Sequence, residues 1–347
     1  MRKCHFCLHV IFVLVASLLC GCAEDKAKNE IDEMFLCPWT YDVSASAKED
    51  GMIHYYFMSS EGYIRKESGE PAKWGDCCLV VFPNGETMLI DGGPRAYGNM
   101  LVSNLRRMGV QKIDHLVISH PHLDHQAGIF HADNLTGDGL LDQFEVSKVY
   151  HRGGSDNKRE DSLWVENVCT ERNLPLRTLE KGDTFSIGEV QIEILWPMPG
   201  TSETVITGGV AVNDSSIVMR LNYKNHSSMF VGDLYKAGEL IVYSANPTRM
   251  NVDLLKVPHH GSDTSSSEIL LKGTSPEIAV ATGFIEIPED VRAAYDAHGV
   301  TLLNDRTYGY VHVSSDGINM GYSVSREAEI PADASASGEK VSNTEVE

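Results

Sequence analysis

The run Ser119-His120-Pro121-His122-Leu123-Asp124-His125 places three imidazoles and a carboxylate between positions 120 and 125. Imidazole nitrogen suits zinc and related divalent ions, and a carboxylate adds an oxygen ligand and the negative charge that offsets a dication. This spacing allows His120 and His122 to converge on one metal, and Asp124 and His125 on a second. Three further segments share this character: Ile90-Asp91-Gly92-Gly93, Phe230-Val231-Gly232-Asp233-Leu234 and Leu255-Lys256-Val257-Pro258-His259-His260-Gly261-Ser262. Each ends an apolar run with Asp or His, beside glycine that permits close backbone approach. One Asp after a strand is ordinarily a turn or a helix cap. Four such segments in succession read as ligand-bearing loops at strand ends. Spacing alone does not decide between His259 and His260. In an extended segment the two would point opposite ways, so one metal would not take both.

The elements that must carry these loops alternate in type. Cys78–Phe82 and Thr87–Ile90 read as a hairpin around Asn84-Gly85. Met100–Met108 has helical periodicity and stops at Gly109; Ile113–Ser119 is a buried strand. Leu163–Asn173 reads as a helix, and Ser216–Leu221 with Ser228–Val231 as a second hairpin. Glu239–Tyr243 is helical, Asp253–Val257 a strand, and the alternation continues to Val300–Leu303 without an internal repeat. Hairpins mixed with helices predict an α/β protein with mixed sheets.

The chain has 347 residues, 42% of them hydrophobic, with 49 acidic against 29 basic residues and a net charge of −20. That balance repels phosphate backbones and anionic membranes at long range, so a passive nucleic-acid-binding module is disfavoured. A phosphate-bearing substrate stays open, because a bound dication dominates its own surroundings. At the N-terminus, Arg2 and Lys3 precede an apolar run over Val10–Leu19 and then Cys20-Gly21-Cys22. This is the pattern of a lipoprotein-type signal peptide over 1–21, with Cys22 as the lipidated residue. It predicts a membrane-anchored protein outside the cytoplasm of a bacterial cell. Residues 22–51 read as a flexible tether, 52–326 as the folded domain, and 327–347 as a disordered acidic tail.

Asp91, then His120, His122, Asp124 and His125, then Asp233 and His260, follow the order of motifs in the metallo-β-lactamase fold superfamily, which this sequence resembles. In particular it resembles the hydrolase domain of ComEC-type competence proteins. That likeness rests on Gly75-Asp76, Asn213-Asp214-Ser215-Ser216, Pro258-His259-His260-Gly261-Ser262 and Tyr308-Gly309, and covers about residues 74 to 315. The resemblance implies an αββα sandwich of two mixed sheets flanked by helices. It implies two divalent ions, zinc first and manganese as the alternative, held by His120, His122, Asp124, His125, Asp233 and His260. Relatives place the ligand His directly before a Gly, which favours His260. The superfamily's third-motif His is missing; Asn213 stands in its place, with water, Asp214 or His151 as substitutes.

The expected chemistry is hydrolysis by a metal-activated water, with Asp233 bridging the metals. Asp124, His259 and Asn213 are the expected catalytic side chains, and Asp91 and Ser262 the residues behind the ligands. The first expectation for function is a phosphodiesterase, with a nuclease among the options and nucleic acid entering only as substrate. Carbonyl or lactam hydrolysis and a non-catalytic surface-binding scaffold are the alternatives. Metal content would separate the scaffold from the enzymes.

Overall fold

The computed structural model describes residues 33–61, 74–130, 139–153, 164–200 and 212–327. The expected signal peptide, Cys22 and all but the first residue of the expected acidic tail lie outside the described residues.

Two large mixed sheets dominate, as expected. The first has eight strands in the order Met320–Val324, Val311–Ser315, Ile53–Phe57, Cys78–Val81, Thr87–Ile90, His115–Val117, Val149–His151, Leu176–Thr178. It is antiparallel as far as Thr87–Ile90 and parallel beyond it. The change of sense follows from the connections. Cys78–Val81 and Thr87–Ile90 are joined by a tight turn in which Gly85 takes a φ of +80° and Asn84 Oδ1 accepts from Glu86 N at 3.0 Å. From Ile90 the chain returns parallel only by crossing over through the helix Gly98–Arg107.

The second sheet has seven strands, in the order Thr301–Asn304, Ile278–Ala281, Leu254–Lys256, His226–Phe230, Val218–Tyr223, Val190–Trp196, Thr184–Ile187. Its first four strands are mutually parallel. The inner faces of the two sheets form one core, in which Tyr55, Phe57, Val80 and Met88 from the first meet Ile192, Met219, Phe230 and Val280 from the second. The outer face of the second sheet packs Leu255 and Ala279 against Val242, Leu270, Leu271 and Tyr295 of three helices. The helix Gly98–Arg107 likewise buries Leu101 and Leu105.

Three expectations change. Residues 37–51 are not a tether. Val43–Asp50 is a helix capped by Asp42, whose Oδ1 accepts from Ala45 N at 2.9 Å, and it buries Val43 and Ala47. Cys37 and Trp39 are also buried, with Trp39 edge-on to Tyr56 at 4.7 Å, so the folded body begins at Cys37. The strand expected over Ile113–Ser119 is interrupted, because Asp114 turns its carboxylate onto Thr87 N; Lys112–Ile113 pairs instead with Glu145–Val146 in a separate small sheet. The helix expected over Glu239–Tyr243 runs from Lys236 to Ala245.

The parallel strands of both sheets point their C-terminal ends the same way within each sheet. Asp91, Ser119, Asp233 and Thr282 each follow such an end within three residues, which is where α/β sheets gather ligand-binding loops.

Candidate metal centre

Backbone constraints come first. The helix Leu123–Phe130 lies hard against the Asp91 loop: Gly92 N donates to His125 O at 2.7 Å and Gly128 N to Gly93 O at 3.0 Å. A Cβ on Gly128 would fall 2.1 Å from Gly92 O, so glycine is required at that crossing. The approach puts His125, in the first turn of the helix, beside Asp91.

Asp91 then fixes two rings. Its Oδ1 accepts from Ser119 N at 2.8 Å, and its Oδ2 accepts from Ser119 Oγ at 2.7 Å and from His125 Nδ1 at 2.9 Å. Ser119 Oγ, with its proton given to Asp91, accepts in turn from His120 Nδ1 at 3.1 Å. With both Nδ1 atoms occupied as donors, the Nε2 lone pairs of His120 and His125 face inward.

Asp233 lies opposite. Gly232, with φ +53°, brings it over the loop, and its backbone N–H donates to Ser216 Oγ at 3.1 Å. Asp233 Oδ2 is 3.2 Å from His125 Nε2, 3.5 Å from His260 Nε2 and 3.7 Å from His120 Nε2. His122 Nδ1 is 3.0 Å from His120 Nε2, and Asp124 Oδ2 is 3.4 Å from His260 Nε2. Ligand atoms of Asp124, His125, Asp233 and His260 thus lie within 4.8 Å of one another, as do those of His120, His122 and Asp233. The structure brings together all six residues expected as ligands, with Asp233 common to both groups.

The donors fit divalent cations. Inward ring nitrogens face carboxylate oxygens and one another, an arrangement that repels unless protons or cations lie between. Among the described residues, His260 Nε2 and Asp233 Oδ1 are buried without an aligned hydrogen-bond partner. The electrostatics agree. Burial opposes charge on His125 and His260, yet Asp233 and neighbouring carboxylates outweigh it and raise both well above the ordinary histidine range. Burial would raise Asp233, but His125 and His260 hold it well below the usual carboxylate range. Three buried carboxylates (Asp76, Asp91 and Asp233) and the part-exposed Asp124 create a field that favours cations.

His260 is the inward histidine and His259 the rim histidine, but not because the segment is extended. Pro258–Gly261 is a single tight turn in which His259 and His260 take φ of 47° and 58°. Two successive left-handed residues are strained, and such strain collects at functional sites. His259 keeps Nε2 3.9 Å from Asp233 Oδ2, while its Nδ1 pairs with Thr264 Oγ1 at 2.6 Å. Trp74 stacks on its ring at 5.4 Å and Tyr235 meets it edge-on at 4.9 Å.

Asn213 is buried, hydrogen-bonded to Tyr235, and its Oδ1 has no partner among the described residues. The suggested substitutes for the third-motif His are bonded to other groups. Asp214 Oδ1 accepts from Tyr235 N at 3.1 Å, at the start of the helix Lys236–Ala245. His151 Nε2 pairs with Thr178 Oγ1 at 3.0 Å, and burial pushes its ring down to about 4. Ser262, expected behind the ligands, touches none of them; its Oγ meets Thr264 Oγ1 at 3.2 Å and Asp263 Oδ1 at 3.4 Å. Thr264, not Ser262, bonds the His259 ring.

Sequence reasoning passed over the residues behind His260. Asp76 Oδ1 accepts from His260 Nδ1 at 3.1 Å and from Thr282 Oγ1, and its Oδ2 is 2.7 Å from Lys256 Nζ. A lysine within the apolar run Leu254–Val257 was the available signal. Asp305 accepts from Gly283 N at 3.1 Å and Phe284 N at 2.9 Å, tying down the loop that backs the His260 ring.

A family model described as the metallo-beta-lactamase superfamily matches residues 75–281. The ComE operon protein 3 of Bacillus subtilis is 25% identical over 244 residues, covering 65% of this chain and 29% of that relative. The competence protein ComA of Neisseria gonorrhoeae is 25% identical over 230 residues, covering 65% of this chain and 28% of that relative. The chain therefore spans under a third of the length of these relatives. Among solved structures, the metallo-beta-lactamase fold protein YhfI from Bacillus subtilis is 14% identical with a TM-score of 0.46, covering 73% of this chain and 95% of that one.

Proposed function

This chain belongs to the metallo-β-lactamase superfamily as a metal-dependent hydrolase, and we propose that it is a phosphodiesterase working with two divalent ions. The observation that carries the reading is the position of Asp233 Oδ2, within 3.2 to 3.7 Å of inward nitrogens from both ligand groups. A shared carboxylate between two cation positions suits displacement at phosphorus, where attacking and leaving oxygens both need charge stabilisation. The resemblance to the ComEC-type hydrolase domain supports the same substrate class.

His120, His122 and Asp233 would hold one ion, and Asp124, His125, His260 and Asp233 the other. Zinc fits the imidazoles, and manganese fits the oxygen donors. Bound there, the ions would supply Lewis acidity and make a coordinated water acidic near neutral pH. The chain's own residues do the rest. Asp91 fixes the tautomers of His120 and His125, so that the nitrogens presented are Nε2. Asp124 keeps its carboxylate ionised at the rim, its pKa held down by His125 and His260 against burial. His259, 3.9 Å from Asp233 Oδ2 at its Nε2, stands where it can donate a proton to a leaving oxygen. Asn213, hydrogen-bonded to Tyr235, keeps a buried amide oxygen without a partner among the described residues.

With a net charge of −20, DNA is not the favoured substrate. A small phosphodiester or a phosphodiester-decorated envelope polymer fits better, for a protein carried outside the cytoplasm on lipidated Cys22. Among the described residues no helix is long and apolar enough to cross a membrane. The test is cleavage of bis(p-nitrophenyl) phosphate and of p-nitrophenyl acetate before and after chelation. Chelator-sensitive diester cleavage supports the reading; acetate cleavage without diester cleavage replaces it with carbonyl hydrolysis.

A further inference from the structure

The strand Leu254–Lys256 is buried along its whole length, including the lysine. Taking an ammonium out of water costs several kcal/mol unless it is paired and hydrogen-bonded, so a lysine here needs a reason. Lys256 Nζ reaches Asp76 Oδ2 at 2.7 Å and donates to Val257 O at 2.8 Å. Asp76 precedes Cys78–Val81 of the first sheet and Lys256 ends a strand of the second, so the ion pair ties the two sheets together beneath the metal centre. The other oxygen of Asp76 accepts from His260 Nδ1 at 3.1 Å and from Thr282 Oγ1. Thr282 O lies 3.1 Å from the same Nδ1. A Cβ on Gly283 would fall 2.9 Å from that atom, so the ring is wedged on this side as well.

We propose that the Asp76–Lys256 ion pair is the positioning device of His260, fixing its Nδ1 as the donor so that Nε2 is presented to the cation shared with Asp124, His125 and Asp233. The proposal rests on the reading of His260 as a metal ligand. Lys256 does not touch the ligands: its charge holds Asp76 in place and leaves Oδ1 for His260. Removing it should affect one cation position and spare the His120–His122 position, which is fixed through Ser119 and Asp91.

The experiment is equilibrium dialysis of the full chain with Co²⁺, with the ligand-field absorption band as a second readout and melting of the metal-free protein as a third. In Lys256→Met one of two bound equivalents should weaken by about 10- to 100-fold, the other staying at the wild-type value. Lys256→Arg should restore most of the loss. Asp76→Leu/Lys256→Met removes both charges and buries no unpaired ion. It should melt within a few degrees of wild type and still lose affinity in one equivalent, with an altered cobalt band. A folded double variant that binds both equivalents like wild type overturns the proposal, as does equal weakening of both. Wild-type protein that binds no Co²⁺ would instead overturn the metal-centre reading, and the proposal with it.

Discussion

Asp91 Oδ2 lies 2.9 Å from Nδ1 of His125, and through Ser119 the same carboxylate reaches Nδ1 of His120. One residue that touches no inward nitrogen therefore sets which nitrogens two histidines present. Asp91→Ala should lower metal affinity about 10- to 100-fold in both equivalents, because each contains one of these rings. Dialysis against a competing chelator checks this; an unchanged affinity would show that the rings are held without Asp91.

His259 sits at the rim, clamped by Thr264 Oγ1 at 2.6 Å and covered by Trp74. His259→Ala should reduce kcat by about 10²- to 10⁴-fold while metal content stays at the wild-type value. Loss of an equivalent of metal would make His259 a ligand instead.

Gly128 faces Gly92 O at a distance that leaves no room for a side chain. Gly128→Ala should cost about 1 to 3 kcal/mol in urea unfolding, or push the helix carrying Asp124 and His125 off the Asp91 loop, with activity falling in either case. Wild-type stability together with wild-type activity would contradict this packing.

At the other side of the first sheet, His312 stacks on Tyr56 at 4.4 Å and pairs with His54 at 3.0 Å. Burial, with a smaller push from His54, lowers its pKa to about 3 from an ordinary 6.5. The unfolded chain then binds more protons than the native one between those values, so stability falls as pH falls through that window. Urea midpoints of wild type and His312→Gln from pH 7 to 4 test this. The variant should lose less stability over that range; parallel curves would rule out His312 as a source of the acid sensitivity.

The centre was largely legible because its ligands are local in sequence: His120 to His125 lie on one loop and helix start, and Asp91, Asp233 and His260 each follow an apolar strand. What escaped was non-local or masked by composition. Asp76 and Lys256 pair across two sheets, and a charge in a three-residue strand reads equally as a solvent-facing position. The helix Val43–Asp50 has only Val43, Ala45 and Ala47 as apolar residues, so it resembled a linker. His259 and His260 adopt left-handed backbone angles that local preference does not predict, although family likeness had already favoured His260 as the inward residue.

The account's central claim is that Asp233 belongs to two cation positions at once. Elemental analysis of wild type, His122→Ala and Asp233→Asn, alongside bis(p-nitrophenyl) phosphate cleavage, tests it most directly. The account predicts two equivalents in wild type, one in His122→Ala and weakened occupancy of both in Asp233→Asn, with diester cleavage lost in each variant. Two tightly held equivalents in Asp233→Asn, or wild-type cleavage by His122→Ala, would contradict it.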